Sequence, residues 1–273
     1  MKPENVFLGE SGRKDGDIAV IPVPYEGACS VRGTADGPSA IIKASHNLEP
    51  YDHETGKEIG IRTVDALEPE PTPEEMISEV EAAVAAELLK DRFPVMIGGC
   101  HTITLGAVKA LDKKYKDISV LSLDAHADMK DEFDGTRLSH ASVMARVSEI
   151  CNAVVVGVRN ASKGEPTDNV LFARDIFGRN DWHNGVLSKL TDNVYITIDL
   201  DYFDPSIMAS VGTPEPGGLL WYETLEFLRK VCSEKNVVGF DIVELSPRKN
   251  NPECDYLAAK LLYKVLAYKN QPC

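Results

Sequence analysis

The chain has little with which to hold nucleic acid, cross a membrane or build a disulfide scaffold. Lysine and arginine total 29 against 43 acids, a formal charge of −14, whereas a phosphate backbone calls for a basic surface. No apolar run approaches the roughly 20 residues that span a bilayer. The opening Met-Lys-Pro-Glu-Asn-Val lacks the charged-then-apolar layout of a signal peptide, so a cytoplasmic location is expected. The six cysteines, at 29, 100, 151, 232, 254 and 273, include no Cys-x-x-Cys pair and no compact framework. Scattered thiols of this kind suit a reducing compartment. Internal repeats, low-complexity segments and composition shifts are also lacking, so residues 1–273 are read as a single domain.

What the chain does have is an alternation of short apolar runs and helical patterns. Strands are expected at Ile18–Val23, Phe93–Ile97, Ile118–Leu123, Ala153–Val158, Val194–Leu200 and Val237–Val243. Helices are expected from Gly37-Pro38 to about Asn47, from Thr72-Pro73-Glu74-Glu75 to about Lys90, and over His101–Lys113, Ser139–Glu149, Tyr222–Glu234 and Asp255–Tyr268. The second of these opens with a capping residue, Pro at the first helical position and early acids, and it reads as a core-packing or subunit-facing surface. A βαβα order implies a mainly parallel sheet with helices on both faces, which binds ligands beyond the carboxyl ends of its strands.

The chemistry-bearing residues fall at those ends. Asp124-Ala-His126-Ala-Asp128 follows the run Ile118–Leu123, and its i, i+2, i+4 spacing on extended backbone aims three ligand types at one point. Asp199-Leu-Asp201 follows Val194–Ile198 in the same way, and His101 follows Gly98-Gly99-Cys100. Four carboxylates with two imidazoles make a ligand set suited to Mn²⁺, with Fe²⁺, Co²⁺ or Zn²⁺ as substitutes. No cysteine is among them, which argues against a structural zinc site. Four aspartates carry −4, so two divalent cations bring the cluster to neutrality, and one would leave costly buried negative charge. Two ions about 3.5–4 Å apart share a water and lower its pKa toward neutrality.

Gly98-Gly99-Cys100-His101-Thr102, Asp124-Ala-His126-Ala-Asp128 and Asp199-Leu-Asp201-Tyr-Phe-Asp204-Pro205 together resemble the signatures of the ureohydrolase family, the arginase and agmatinase group. Arg32-Gly33-Thr34-Ala35-Asp36-Gly37-Pro38 and Thr213-Pro214-Glu215-Pro216-Gly217-Gly218-Leu219 extend the likeness from about Gly33 to the end of the chain. The resemblance implies a three-layer α/β/α sandwich around a mostly parallel eight-stranded sheet, and a homo-oligomer, trimeric or hexameric. It implies a first manganese on His101, Asp124, Asp128 and Asp199. A second takes His126 and Asp201, with Asp124 and Asp199 bridging. In such enzymes metal-bound hydroxide attacks the guanidinium carbon, and the intermediate collapses to urea and an amine. Asp128 then also handles the proton, His140 matches a shuttle or substrate-contacting histidine, and Glu244 matches the carboxylate that orients a small cationic guanidino substrate.

Asp131-Glu132-Phe133-Asp134-Gly135 followed by Ser139-His140-Ala141 resembles prokaryotic agmatinases, which implies agmatine as substrate and putrescine and urea as products. Guanidinobutyrate, arginine or formimidoylglutamate are the alternatives within the same chemistry, with Arg137 or Arg159 as carboxylate partners; a non-catalytic family member is the alternative outside it. Asp131, Glu132 and Asp134 read first as solvated loop acids. Cys100 departs from the acid that many relatives carry before the metal-binding histidine, and Ala141 from a glycine found in some. His46, His53 and His183 read as surface or capping residues.

Overall fold

The computed structural model describes residues 2–12 and 16–270 of the chain. Met1 and Cys273 therefore lie outside the described residues. Among the described residues, ten strands and eight α-helices alternate as the apolar patterning requires. The strands are β1 (Ile18–Val23), β2 (Tyr51–Asp52), β3 (Lys57–Glu58), β4 (Ile61–Thr63), β5 (Phe93–Gly98), β6 (Ile118–Leu123), β7 (Asn152–Val158), β8 (Val170–Phe172), β9 (Asn193–Asp199) and β10 (Asn236–Val243). The helices are α1 (Gly37–Ser45), α2 (Pro73–Leu88), α3 (Thr104–Lys114), α4 (Val143–Ser148), α5 (Ala173–Ile176), α6 (Trp182–Leu187), α7 (Trp221–Glu234) and α8 (Pro252–Lys269).

Eight strands form one all-parallel sheet in the order β4-β1-β5-β10-β9-β6-β7-β8. Successive side chains face opposite sides, so each central strand feeds two cores. In β9, Val194, Ile196 and Ile198 join one core with residues of α1, α7 and α8, while Tyr195 joins the other with residues of α2, α3 and α4. The layers are thus α/β/α. β5 and β6 are consecutive in the chain yet stand apart, with β10 and β9 inserted between them. That reversal of strand order opens a crevice at the carboxyl ends.

Several boundaries differ from the periodicity for local reasons. The helix expected from His101 begins as a 3₁₀ turn, His101–Ile103, and that expected from Ser139 as another, His140–Ser142. Both turns hold the chain where loops pass into helices. The strand expected to reach Leu200 ends at Asp199, because a 3₁₀ turn follows over Leu200–Tyr202. α8 starts at Pro252, earlier than Asp255, with proline in its first turn. His183 is not a surface residue: it is buried, its ring packed against Trp182 and Phe227. His46 and His53 are exposed, the former bonded to the Val6 carbonyl. α2 buries Met76, Ile77, Val80 and Val84 against the sheet and α3. Among the described residues no helix is long and apolar enough to cross a membrane.

The hairpin β2–β3 is fastened to α8 by an ion pair. Lys264 is 4% exposed and donates to Asp52, 2.8 Å away and 1% exposed, and also to Glu54. Burial is the largest influence on the Asp52 carboxyl and would raise it, but the hydrogen bond and charge of Lys264 and the bonds from Thr55 together outweigh it, and Glu54 is lowered chiefly by the same lysine. A lowered folded-state pKa stabilises fully above the unfolded value, about 4, and that stability is lost as the pH falls through the folded values. Lys264→Met is therefore expected to cost about 3 kcal/mol at neutral pH, since it strands a buried carboxylate. Adding Asp52→Asn should recover part of that loss in urea denaturation. Equal stability of Lys264→Met and the wild type would contradict the assignment.

Candidate metal centre

The crevice draws its side chains from four adjacent strand ends. β5 leads through Gly98-Gly99 to His101, β6 to Asp124, His126 and Asp128, β9 to Asp199 and Asp201, and β10 to Glu244. Gly99 is required there, since a Cβ on it would lie 2.2 Å from the Tyr25 carbonyl oxygen. Asp128 and Glu244 both adopt left-handed backbone, with φ of 52° and 67°. Such φ values are uncommon in non-glycine residues and gather at functional sites. Each is held by hydrogen bonds: the Asp128 carbonyl accepts from the Met144 and Ala145 amides, and the Glu244 amide donates to Gly99.

Three aspartates are pinned through one oxygen. Asp124 Oδ1 accepts from the His126 amide at 2.6 Å, Asp199 Oδ1 from the Asp201 amide at 2.9 Å, and Asp201 Oδ1 from the Ala125 amide at 3.0 Å. Their other oxygens turn inward. His101 Nδ1 lies 3.3 Å from Asp124 Oδ2, 3.1 Å from Asp128 Oδ2 and 3.5 Å from Asp199 Oδ2. His126 Nδ1 lies 2.9 Å from Asp201 Oδ2 and 3.7 Å from Asp124 Oδ1. His101 Nδ1 and Asp124 Oδ2 are buried yet lack a hydrogen-bond partner, because these atoms aim at a common point rather than at each other. Two groups have mutual ligand distances within 4.8 Å: His101, Asp124 and Asp199, and Asp124, His126 and Asp201. Asp124 belongs to both, whereas Asp199 falls with the first only.

The electrostatics fit cations between these groups. Burial pushes Asp124 well up, aided by Asp128, Asp199 and Asp201, and burial pushes Asp199 up to about 7. Burial opposes charge on the imidazoles, but the carboxylates outweigh it, raising His101 well above its ordinary value and His126 to about 10. Clustered carboxylates that draw in protons are in want of positive charge, and divalent ions would supply it.

Beneath the cluster lies a buried polar network that motif reading does not reveal. The Thr197 hydroxyl donates to Asp241 Oδ1 at 2.6 Å, so its oxygen accepts from His101 Nε2 at 2.9 Å. Asp241 Oδ2 accepts from Tyr195 and Thr104. In the neutral imidazole the proton is thereby fixed on Nε2, leaving the Nδ1 lone pair to face the carboxylates. The only sequence signal was polarity on buried strands, Thr197 in β9 and Asp241 in β10. Thr197→Val is expected to weaken metal affinity about 10- to 100-fold, read by manganese titration. Unchanged affinity would remove Thr197 from this role.

A cavity of about 220 Å³ opens beside the cluster, lined by His126, Asp128, His140, Asp199, Asp201 and Glu244, with Ser30, Lys130, Phe133 and Glu165 also on its wall. His140 Nδ1 is 2.9 Å from the Ala28 carbonyl, which only accepts, so Nδ1 carries the proton and Nε2, 3.3 Å from Ser30 Oγ, is the acceptor. Glu244 Oε1 accepts from the His101 amide at 2.7 Å and from the Cys29 thiol at 3.2 Å. Burial, with Cys100 and Asp199, pushes its carboxyl well up. The two arginines named from the sequence are not part of this cavity. Arg159 is spent on the carbonyls of Gly157, Asp201, Tyr202, Phe203 and Glu215, and Arg137 pairs with Asp131 and Glu149. Asp131, Glu132 and Asp134 are exposed and do not line the cavity either. Lys130, which the sequence reading passed over, does line it, its ammonium 4.4 Å from the Phe133 ring centre.

A family model described as the Arginase family matches residues 16–267. The N(1)-aminopropylagmatine ureohydrolase of Synechocystis sp. is 37% identical over 93% of this chain and 89% of its own length. The agmatinase of Pyrococcus horikoshii is 32% identical over 93% of this chain and 92% of its own. The crystal structure of agmatine ureohydrolase of Thermoplasma volcanium superposes with a TM-score of 0.87 at 31% identity, covering 95% of this chain and 92% of that one.

Proposed function

The chain belongs to the arginase family, ureohydrolases that break guanidino C–N bonds, and from that premise we propose that it hydrolyses agmatine to putrescine and urea. The observation that carries this reading is the make-up of the cavity: Glu244, Asp128 and His140 share one wall system that, among the described residues, contains no arginine. Glu244 offers a carboxylate to the paired N–H donors of a guanidinium. Asp128, beside His101 Nδ1, is read as the group that would hold a proton and pass it toward the leaving nitrogen. His140 Nε2 stands ready to accept or relay a proton at the cavity wall. His101, Asp124, Asp128 and Asp199 would hold one manganese, and His126 and Asp201, with Asp124, a second. When bound, such a pair supplies the Lewis acidity that acidifies a water at neutral pH. A cytoplasmic trimer or hexamer is proposed on the family likeness.

A second reading has its own support. Relatives from Synechocystis and Thermus thermophilus carry the name N(1)-aminopropylagmatine ureohydrolase, and Glu165 places one more acid on the cavity wall, a partner for a further ammonium. That substrate would yield spermidine and urea. Urea release from agmatine, N(1)-aminopropylagmatine, arginine and 4-guanidinobutyrate, with Mn²⁺ supplied, tests the proposal. Turnover is expected for the two amines and not for the two carboxylates. Faster turnover of a carboxylate substrate would overturn it and point to Lys130 as the partner. No urea from any of the four would overturn the chemistry itself.

A further inference from the structure

Three groups meet behind the cavity wall and are not needed for the two-metal cluster. Cys29, Cys100 and Glu244 bring Sγ, Sγ and a carboxylate oxygen within 4.8 Å of one another. The loop after β1 and the loop after β5 are tied to make this meeting. The Cys100 amide donates to the Tyr25 carbonyl at 2.7 Å, an approach that the bare Gly99 permits. Glu26 then braces the loop carrying Cys29, accepting from the amides of Gly33 and Ala35. Cys29 Sγ lies 3.2 and 3.6 Å from the two Glu244 oxygens. Ligands about 2.3 Å (sulfur) and 2.0 Å (oxygen) from one tetrahedral zinc stand about 3.5 Å apart, so the Cys29–Glu244 spacing matches, and the Cys100 sulfur lies within 4.8 Å of both.

We propose that Cys29, Cys100 and Glu244 form a separate site for one thiophilic divalent cation, of the zinc or cadmium kind. Two thiolates and a carboxylate are softer than the aspartate and histidine set, and they select against manganese. Binding exchanges charge in balance: the ion takes both sulfurs, and the two thiol protons leave to solvent. Cys100 is fully buried, while Cys29 and Glu244 are partly exposed, which leaves the ion a route in from the cavity. Occupancy also draws Glu244 away from a guanidinium, so the ion opposes substrate; this consequence, unlike the binding itself, rests on the role proposed for Glu244 above.

The test is a cadmium titration of manganese-loaded protein held in excess Mn²⁺, following the ultraviolet thiolate-to-cadmium charge-transfer band. The band is expected to saturate at one equivalent, to vanish in Cys29→Ser and in Cys100→Ser, and to persist in Cys151→Ser. Cadmium that merely replaced manganese would give no such band, since no sulfur is among those six ligands. Absence of the band in the wild type, or its survival in both serine variants, overturns the proposal whatever the protein does to guanidino compounds. With the band established, cadmium should raise the KM for agmatine in the wild type and not in Cys29→Ser. An unmoved KM would sever the site from Glu244's proposed role.

Discussion

Asp128→Asn is expected to lower urea release by a factor of about 10³ or more, within the range that loss of an acid–base group alone produces. The substitution keeps the shape. The left-handed turn at position 128 is held through its carbonyl by the Met144 and Ala145 amides, and asparagine tolerates that backbone. What changes is charge. Asp128 Oδ2 faces His101 Nδ1 at 3.1 Å, where a neutral amide neither balances a cation nor holds a proton. Turnover and bound manganese should therefore fall together, the first further than the second. Turnover near that of the wild type, at full metal content, would deny Asp128 both duties.

Glu244→Gln should lower kcat/KM by roughly 10- to 100-fold while leaving the manganese content at two per chain. A hydrogen bond to a charged partner contributes about 1.5–3 kcal/mol, and about 1.4 kcal/mol is a factor of ten. Glutamine can still accept from the His101 amide, as Glu244 does at 2.7 Å, so the strand end stays in place. The loss is then that of the ionic partner for guanidinium. Metal analysis alongside the kinetics separates the two variants: Asp128→Asn moves both readouts, Glu244→Gln only one. A Glu244→Gln protein that lost its manganese would show that Glu244 serves the cluster and not the substrate.

The long strands and helices were legible because burial on both faces forces near-continuous apolar runs, as in Ile118–Leu123 and Val194–Ile198. The edge strands β4 and β8 have three residues each, too few for a period to show, and the β2–β3 hairpin has two per strand. The clustered acids and histidines were legible because they follow directly on the buried run of β6, although they lie beyond the strand and Asp128 reaches the cluster on left-handed backbone, not the extended one expected. Contacts between loops distant in sequence were not. Nothing near Cys29 announces that it meets Glu244, 215 residues later. Thr197 passes in sequence as an ordinary strand former, and only the fold shows its hydroxyl beneath His101. Arg159 failed as a carboxylate receptor because its guanidinium closes the carbonyl ends of the loop after β9, a demand no local pattern encodes. His183 was misplaced for a like reason, since the Asn- and Gly-rich stretch around Trp182-His183 hid the packing against Phe227 supplied by α7.

The most direct measurement is urea release from agmatine and N(1)-aminopropylagmatine by metal-free protein as manganese is added in known equivalents. A two-ion centre formed by His101, Asp124, His126, Asp128, Asp199 and Asp201 predicts activity that rises to a plateau at two Mn²⁺ per chain. A plateau at one ion, or urea release that ignores manganese, would contradict it.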